Sequence, residues 1–376
     1  MLKIMTIVGT RPEIIRLSRT IDRLDRACDH VLVHTGQNYD YELNGVFFEQ
    51  LGIRAPDHFL ETAGSSAAGT IGQVIIAADA VLAAEQPDAL LLLGDTNSAL
   101  SAIAAKRRKV PIFHMEAGNR CFDFNVPEEI NRRIVDHVAD INLPYSAIAR
   151  EYLMREGLPP DQIIVTGSPM REVLAYYADG ISKSDIVAQL GLTFDRYFLV
   201  SAHREENVDD PTTLRRLLVI INAIAETFDI PVIVSTHPRT RKRLDMLNEQ
   251  VHPQVRFEKP FGFLDYVKLQ QDARCVLSDS GTITEESSIL NFPALNLRDV
   301  QERPEGFEEG AVIFTGLNLE RVIEGLAIVG EQSRGPDRSL RLVEDYAPAN
   351  VSEKVLRIIQ SYTGFINRRT WNRPSA

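Results

Sequence analysis

Glu116 ends the apolar run Ile112-Phe113-His114-Met115 and is followed at once by Ala117-Gly118. Glutamate favours neither strands nor burial, so a carboxylate in that setting points to chemistry. Apolar surroundings raise a carboxyl group towards neutrality and suit it to proton transfer. Asp95 follows another apolar run in Gly94-Asp95-Thr96-Asn97, where by itself it reads first as a cap on the next helix. Glu128 opens Pro127-Glu128-Glu129-Ile130-Asn131-Arg132. There the helix dipole, and a pair with Arg132 four residues on, account for it locally.

A second set of residues suits an anion. Gly9-Thr10-Arg11-Pro12-Glu13 joins a strand to a helix whose first N–H groups, with Arg11, form an anion site or a plain turn. With no further glycines it is neither a dinucleotide loop nor a Walker A loop. Val200-Ser201-Ala202-His203-Arg204 and Ser235-Thr236-His237-Pro238-Arg239 each put a histidine and an arginine after a strand. Ser278-Asp279-Ser280-Gly281-Thr282 is sharper. A strand feeding a Ser-Gly-Thr helix start makes a diphosphate cradle from N–H groups and hydroxyls. A glutamate about two turns along that helix, which carries Glu285 and Glu286, can reach the ribose hydroxyls of a nucleotide. Arg303, in Gln301-Glu302-Arg303-Pro304-Glu305, follows another strand and is placed to close over the same phosphates.

The elements that must hold these residues alternate along the chain. Strands are expected at 3–8, 30–35, 89–93, 112–115, 141–143 and 163–166, then at 197–201, 232–235, 255–258, 275–278, 294–297 and 312–314. Helices are expected at 12–26, 71–85, 127–139, 212–227 and 319–329, with 352–362 last before a polar tail carrying Trp371. In the helix 127–139, Ile130, Ile134, Val135 and Val138 are expected to mark the buried face. Continuously apolar strands such as Ala89-Leu90-Leu91-Leu92-Leu93 belong inside parallel sheets covered on both faces. Two such series imply an α/β protein of two Rossmann-like domains facing across a cleft, with ligands at the carboxyl ends of strands. The expected division is 1–168 and 169–355, with 356–376 returning to the first domain.

Composition narrows the function. The chain has 376 residues, 44% apolar and 25% charged, which suits two globular domains. Its formal charge of −11 argues against a general nucleic-acid or membrane-surface binder, while leaving room for one small anion held by local arginines. No run is read as approaching the roughly 18 apolar residues that span a bilayer. The start, Met1-Leu2-Lys3-Ile4, runs straight into a strand and is not read as a signal peptide. Cys28, Cys121 and Cys275 are scattered thiols that suit a reducing cytoplasm, and no metal-ligand spacing is present.

Taken in order, GTRPE, GDT, HMEAG, PEEINRR, AHR, SDSG with TEE, and ERPE resemble the non-hydrolysing UDP-N-acetylglucosamine 2-epimerase family, from residue 3 to about residue 360. The resemblance implies the two-domain frame of one class of glycosyltransferases (GT-B-like) and a homodimer. It implies acid/base roles for Asp95, Glu116 and Glu128, with His203 among the catalytic set. It implies UDP contacts from Arg11, His203, Ser280, Gly281, Thr282, Glu286 and Arg303. The implied reaction eliminates UDP across C1–C2 to a 2-acetamidoglycal and re-adds it with the proton on the other face, using neither cofactor nor metal.

The departures concern the substrate. Arg16 stands where the family typically has lysine, and Asn38-Tyr39-Asp40-Tyr41 follows Gln37 in place of a His-Arg pair linked to allosteric UDP-N-acetylglucosamine binding. Glu205 replaces a frequent second arginine, and Thr282 a second glycine. With RPEIIRLSR, GQNYDYELN and YTGFINRRTW, these features resemble the branch that converts UDP-2-acetamido-2,6-dideoxy-L-talose to UDP-N-acetyl-L-fucosamine for capsule or O-antigen polysaccharide. The alternatives are the UDP-N-acetylglucosamine reaction, a hydrolysing epimerase, a GT-B glycosyltransferase and a nucleotide-sugar sensor. The last two would not need the three carboxylates.

Overall fold

A computed structural model describes residues 1–36, 48–202, 210–236, 238–247 and 249–373. It divides into two compact units, one of Met1–Tyr176 with Asp345–Ala376 and the other of Tyr177–Glu344. The first division falls one short helix, Met170–Tyr176, beyond the turn Thr166–Pro169 that the sequence singles out.

The first unit is built on a six-stranded sheet in the order β3-β2-β1-β4-β5-β6. Its strands are β1 (Lys3–Val8), β2 (Asp29–His34), β3 (His58–Phe59), β4 (Ala89–Leu93), β5 (Ile112–Met115) and β6 (Ile141–Leu143). Every pairing is parallel. The strand expected at 163–166 is absent; Ile163 makes only an isolated bridge to Asn142. The sixth place in the sheet is taken by β3, too short for periodicity to reveal. The order reverses between β1 and β4, so the loops after those strands flank a topological switch point.

The second unit repeats the plan as β12-β11-β10-β7-β8-β9. Its strands are β7 (Phe198–Ser201), β8 (Val232–Ser235), β9 (Val255–Glu258), β10 (Cys275–Ser278), β11 (Ala294–Asn296) and β12 (Ile313–Phe314). Alternate residues feed opposite faces: Val200, Leu277 and Leu295 pack into one core, Leu199, Val276 and Ala294 into another. Both faces are therefore covered, which is why these strands read as unbroken apolar runs. Here the switch point lies between β7 and β10.

Three expectations need correction. The last helix runs Val351–Trp371, so the supposed polar tail is helical to Trp371. Its first turns join the first unit through Arg23–Glu353 at 2.7 Å and Lys354 Nζ to the Thr166 carbonyl at 2.6 Å. In the helix Pro127–Val138, Ile130 and Ile134 face outward, at 47% and 38% exposure. Glu129, Asn131, Arg132, Val135 and Asp136 form the buried side instead. Finally, among the described residues one helix, Ala67–Glu85, is long and apolar enough by length and composition to cross a membrane. It packs on its own unit through Val74, Ala78 and Leu82.

Candidate functional site

The first unit gathers its candidate residues on the loops after β1, β4 and β5. The β1 turn is held by Glu13, whose buried carboxylate accepts from the Gly9 N–H at 3.0 Å and the Thr10 hydroxyl at 2.8 Å. It also accepts from Ser98, just past Asp95, so one side chain ties the Arg11 turn to the Asp95 turn. Burial pushes Glu13 up to about 7, against the pull of the Ser98, Thr10 and Gly9 hydrogen bonds. Arg11 is half-buried at the first position of the helix Arg11–Ala27.

Asp95 stands one residue before Thr96, the cap position of the next short helix. Its carboxylate meets Arg132 Nη2 at 2.7 Å, and its carbonyl accepts from Asn131 at 2.9 Å. Arg132 thus turns to Asp95 and to Glu129, 3.4 Å away, in place of the expected pair with Glu128. Glu128 is half-buried on the first turn of Pro127–Val138 and forms no ion pair among the described residues. Arg132 is 2% exposed, and burying it needs these carboxylates.

Glu116 sits in left-handed backbone, φ +63°. This conformation costs a non-glycine residue about 1 kcal/mol or more and persists only where its surroundings hold it. The apolar pocket expected for Glu116 is not what it meets. Its carboxylate is ion-paired with Arg16, buried and far off in sequence, and accepts from Asn119 Nδ2 at 3.4 Å. Arg16 also lies 5.9 Å from the ring of Tyr145. Gly94, at φ +72°, takes the left-handed backbone that favours glycine, and a Cβ there would be in ordinary contact with Glu116 Oε2, at 3.9 Å.

Behind the Glu116 turn is a chain of buried charges. Asp136 lies 3.0 Å from His114 Nδ1 and 2.7 Å from Arg120 Nη1. Arg120 in turn grips Glu156 through two hydrogen bonds of 2.9 and 2.6 Å. Burial alone would raise Asp136, but His114 and Arg120 override it and hold it low. Burial alone would lower His114; Asp136 reverses that, and its pKa rises. Sequence reasoning did not single out these residues, because no local pattern joins a strand residue, a loop residue and a helix residue into one ion chain.

In the second unit the helix Thr282–Leu290 starts directly after β10. Ser280 and Thr282 join their hydroxyls at 2.9 Å, and the Thr282 N–H donates to Ser280 Oγ at 3.3 Å. Arg303 Nε donates to the Gly281 carbonyl at 3.1 Å and lies 3.4 Å from buried Glu285. Ser280, Gly281, Thr282 and Arg303 are therefore one cluster. Glu286 lies further along the same helix, buried, and accepts from Gln270 Nε2 at 2.6 Å. Gln270 escaped sequence reading because nothing local marks it. His203, assigned to both roles, lies outside the described residues, as do Gln37, Asn38, Tyr39, Asp40, Tyr41 and Glu205.

The arrangement offers carboxylates with arginine partners in one unit and a hydroxyl-rich helix start with an arginine in the other. The first can move protons; the second can hold a phosphate.

Comparison with known proteins shows the family. Residues 22–360 match the family model described as UDP-N-acetylglucosamine 2-epimerase. The structure of UDP-N-acetylglucosamine 2-epimerase from Rickettsia bellii is 51% identical, with TM-score 0.93, over 99% of this chain and 100% of that one. The Methanocaldococcus jannaschii UDP-GlcNAc 2-epimerase in complex with UDP-GlcNAc and UDP is 34% identical, with TM-score 0.89, over 96% and 100%. The Pseudomonas aeruginosa UDP-2,3-diacetamido-2,3-dideoxy-D-glucuronate 2-epimerase is 34% identical over 86% of this chain and 91% of its own length.

Proposed function

Because this chain belongs to the UDP-N-acetylglucosamine 2-epimerase family and is a UDP-sugar 2-epimerase, an isomerase, we propose that it works by elimination and re-addition of UDP. A base takes the proton from C2. Its electron pair forms the C1–C2 double bond, and the C1–O bond breaks with its electrons leaving on UDP. The glycal is planar at C2, so UDP returns to C1 while a proton is delivered to the opposite face.

Proton transfers on two faces need more than one group. Asp95, Glu116 and Glu128 are the proposed carboxylates, and His203 is proposed as a further member of the catalytic set. The observation that carries this reading is the placing of Asp95 and Glu116 on the β4 and β5 turns, each paired to an arginine. Charge that develops on the departing diphosphate needs fixed donors. Arg11, His203, Ser280, Gly281, Thr282 and Arg303 are the proposed ones, with Glu286 on the ribose.

The proposed substrate is UDP-2-acetamido-2,6-dideoxy-L-talose, giving UDP-N-acetyl-L-fucosamine for surface polysaccharide. This rests on the branch-like segments and on Asn38-Tyr39 in place of a His-Arg pair. A second reading, UDP-N-acetylglucosamine to UDP-N-acetylmannosamine, is favoured by the name of the Rickettsia protein. Proton NMR of the C2 coupling with each substrate separates them: turnover of the deoxy-talose sugar alone supports the first, and turnover of UDP-N-acetylglucosamine alone overturns it.

We place the enzyme in the cytoplasm as a homodimer. Three free thiols support the compartment. The helix Ala67–Glu85 supports the dimer, being apolar with Ile76 65% exposed. Light scattering at the monomer mass would remove the dimer.

A further inference from the structure

Charges buried without need are costly: each ion taken from water loses several kcal/mol unless its partners restore it. His114 and Asp136 are fully buried, and Arg120 is 2% exposed. The same helix turns Ile130 and Ile134 outward, so apolar residues were at hand for that space. What the buried ions touch explains the choice.

Asp136 accepts from the Gly118 N–H at 3.2 and 3.3 Å, two residues after Glu116. Arg120 donates to the Asn119 carbonyl at 2.7 Å, on the same turn. Gly118 itself has φ +80°, and a Cβ there would come 2.5 Å from the Ala149 carbonyl oxygen. The turn therefore sits in one place. On its other side His114 Nε2 meets the Gly94 carbonyl at 2.7 Å, one residue before Asp95. A carbonyl only accepts, so Nε2 carries a proton. Nδ1 lies 3.0 Å from the Asp136 carboxylate, an ion-pair distance, and that charge raises the His114 pKa against burial. The ion chain thus reaches from the Asp95 turn to the Glu116 turn.

We propose that His114, Asp136 and Arg120 are positioning residues that lock the Asp95 and Glu116 turns in one mutual geometry. The proposal rests on the assignment of Asp95 and Glu116 as the proton-transfer groups. A misplacement of about 1 Å at reacting groups costs about 100-fold in rate. Loss of the lock is therefore expected in turnover and not in nucleotide affinity, which is assigned to the other unit and, on this one, to Arg11, which none of the three residues touches.

Two variants test it. Asp136→Asn removes the charge that holds the His114 proton. His114→Gln keeps a donor to the Gly94 carbonyl, which protects the fold should the first variant fail to assemble. The charged groups facing His114 are Asp136 from the helix, Asp95 beyond β4 and Arg120 beyond the turn. Wild-type enzyme is first shown to exchange C2 hydrogen in D₂O with a UDP-sugar. Each variant then has kcat, KM and UDP affinity measured across pH. Expected is a fall in kcat of about 10- to 100-fold, with KM and UDP affinity within about twofold. For Asp136→Asn the alkaline limb of kcat also moves to lower pH. Folded variants with wild-type kcat and limb would overturn the lock alone. So would equal losses of kcat and UDP affinity, the mark of general damage. A wild-type enzyme that exchanges with no UDP-sugar would overturn the lock and the epimerase mechanism together.

Discussion

Arg132 Nη2 lies 2.7 Å from Asp95 Oδ2, across a fold that brings the first turns of one helix to the end of β4. The guanidinium is nearly fully buried and shares itself with Glu129, which also accepts from the Cys121 N–H at 3.0 Å. Asp95 is thus set by a partner that is itself set. Arg132→Gln takes this cation from Asp95, while Glu129 keeps Arg133 at 2.8 Å, and breaking a buried pair this way costs about 3 kcal/mol or more. Urea unfolding is expected to show that loss together with a fall in kcat; an unchanged midpoint would contradict the pairing.

Glu13 predicts a pH dependence of stability. Its pKa is raised by folding to about 7, so the folded state binds the proton more tightly than the unfolded one. The contribution is full below the ordinary glutamate range and is lost as pH rises through about 7. The loss is on the order of 3 kcal/mol. Wild-type melting temperature should therefore fall between about pH 5 and about pH 8 more than that of Glu13→Gln. Equal slopes would show that Glu13 titrates elsewhere.

Arg303 predicts a separable effect on nucleotide binding. It reaches the Gly281 carbonyl through Nε while facing Glu285. Arg303→Lys keeps the charge but loses the planar fork. Calorimetric titration with UDP should show affinity about tenfold weaker, the worth of one charge-assisted hydrogen bond. Unchanged affinity would remove Arg303 from the phosphate site.

These cases also show what could be read in advance. The strands at Lys3–Val8, Ala89–Leu93, Ile112–Met115 and Cys275–Ser278 were legible to the residue, because buried parallel strands leave long apolar runs between turns. The turns carrying Arg11, Asp95, Glu116 and Ser280 followed from their ends. The inward face of Pro127–Val138 was not legible. Its apolar positions Ile130 and Ile134 point outward, and the polar ones point to Asp95, Gly118 and His114. Periodicity sees apolarity, not ion pairs. Arg16 was noticed as a departure from a family pattern, but its partner Glu116 lies too far along the chain for any local pattern to join them. Gln270 behind Glu286 failed to appear for the same reason.

Glu116→Gln keeps the shape of the side chain while removing its charge and its proton affinity. The variant should bind UDP normally and lose turnover by about 10²- to 10⁴-fold. Wild-type kcat with intact UDP binding would take Glu116 out of the chemistry.

The central claim is that C2 inverts through loss and return of its hydrogen. Wild-type enzyme incubated with a UDP-2-acetamido sugar in D₂O, followed at C2 by proton NMR, tests it most directly. Elimination and re-addition predict that the epimeric product carries solvent deuterium at C2 from the first turnover. A product that forms at the same rate and keeps its original C2 hydrogen would contradict the account.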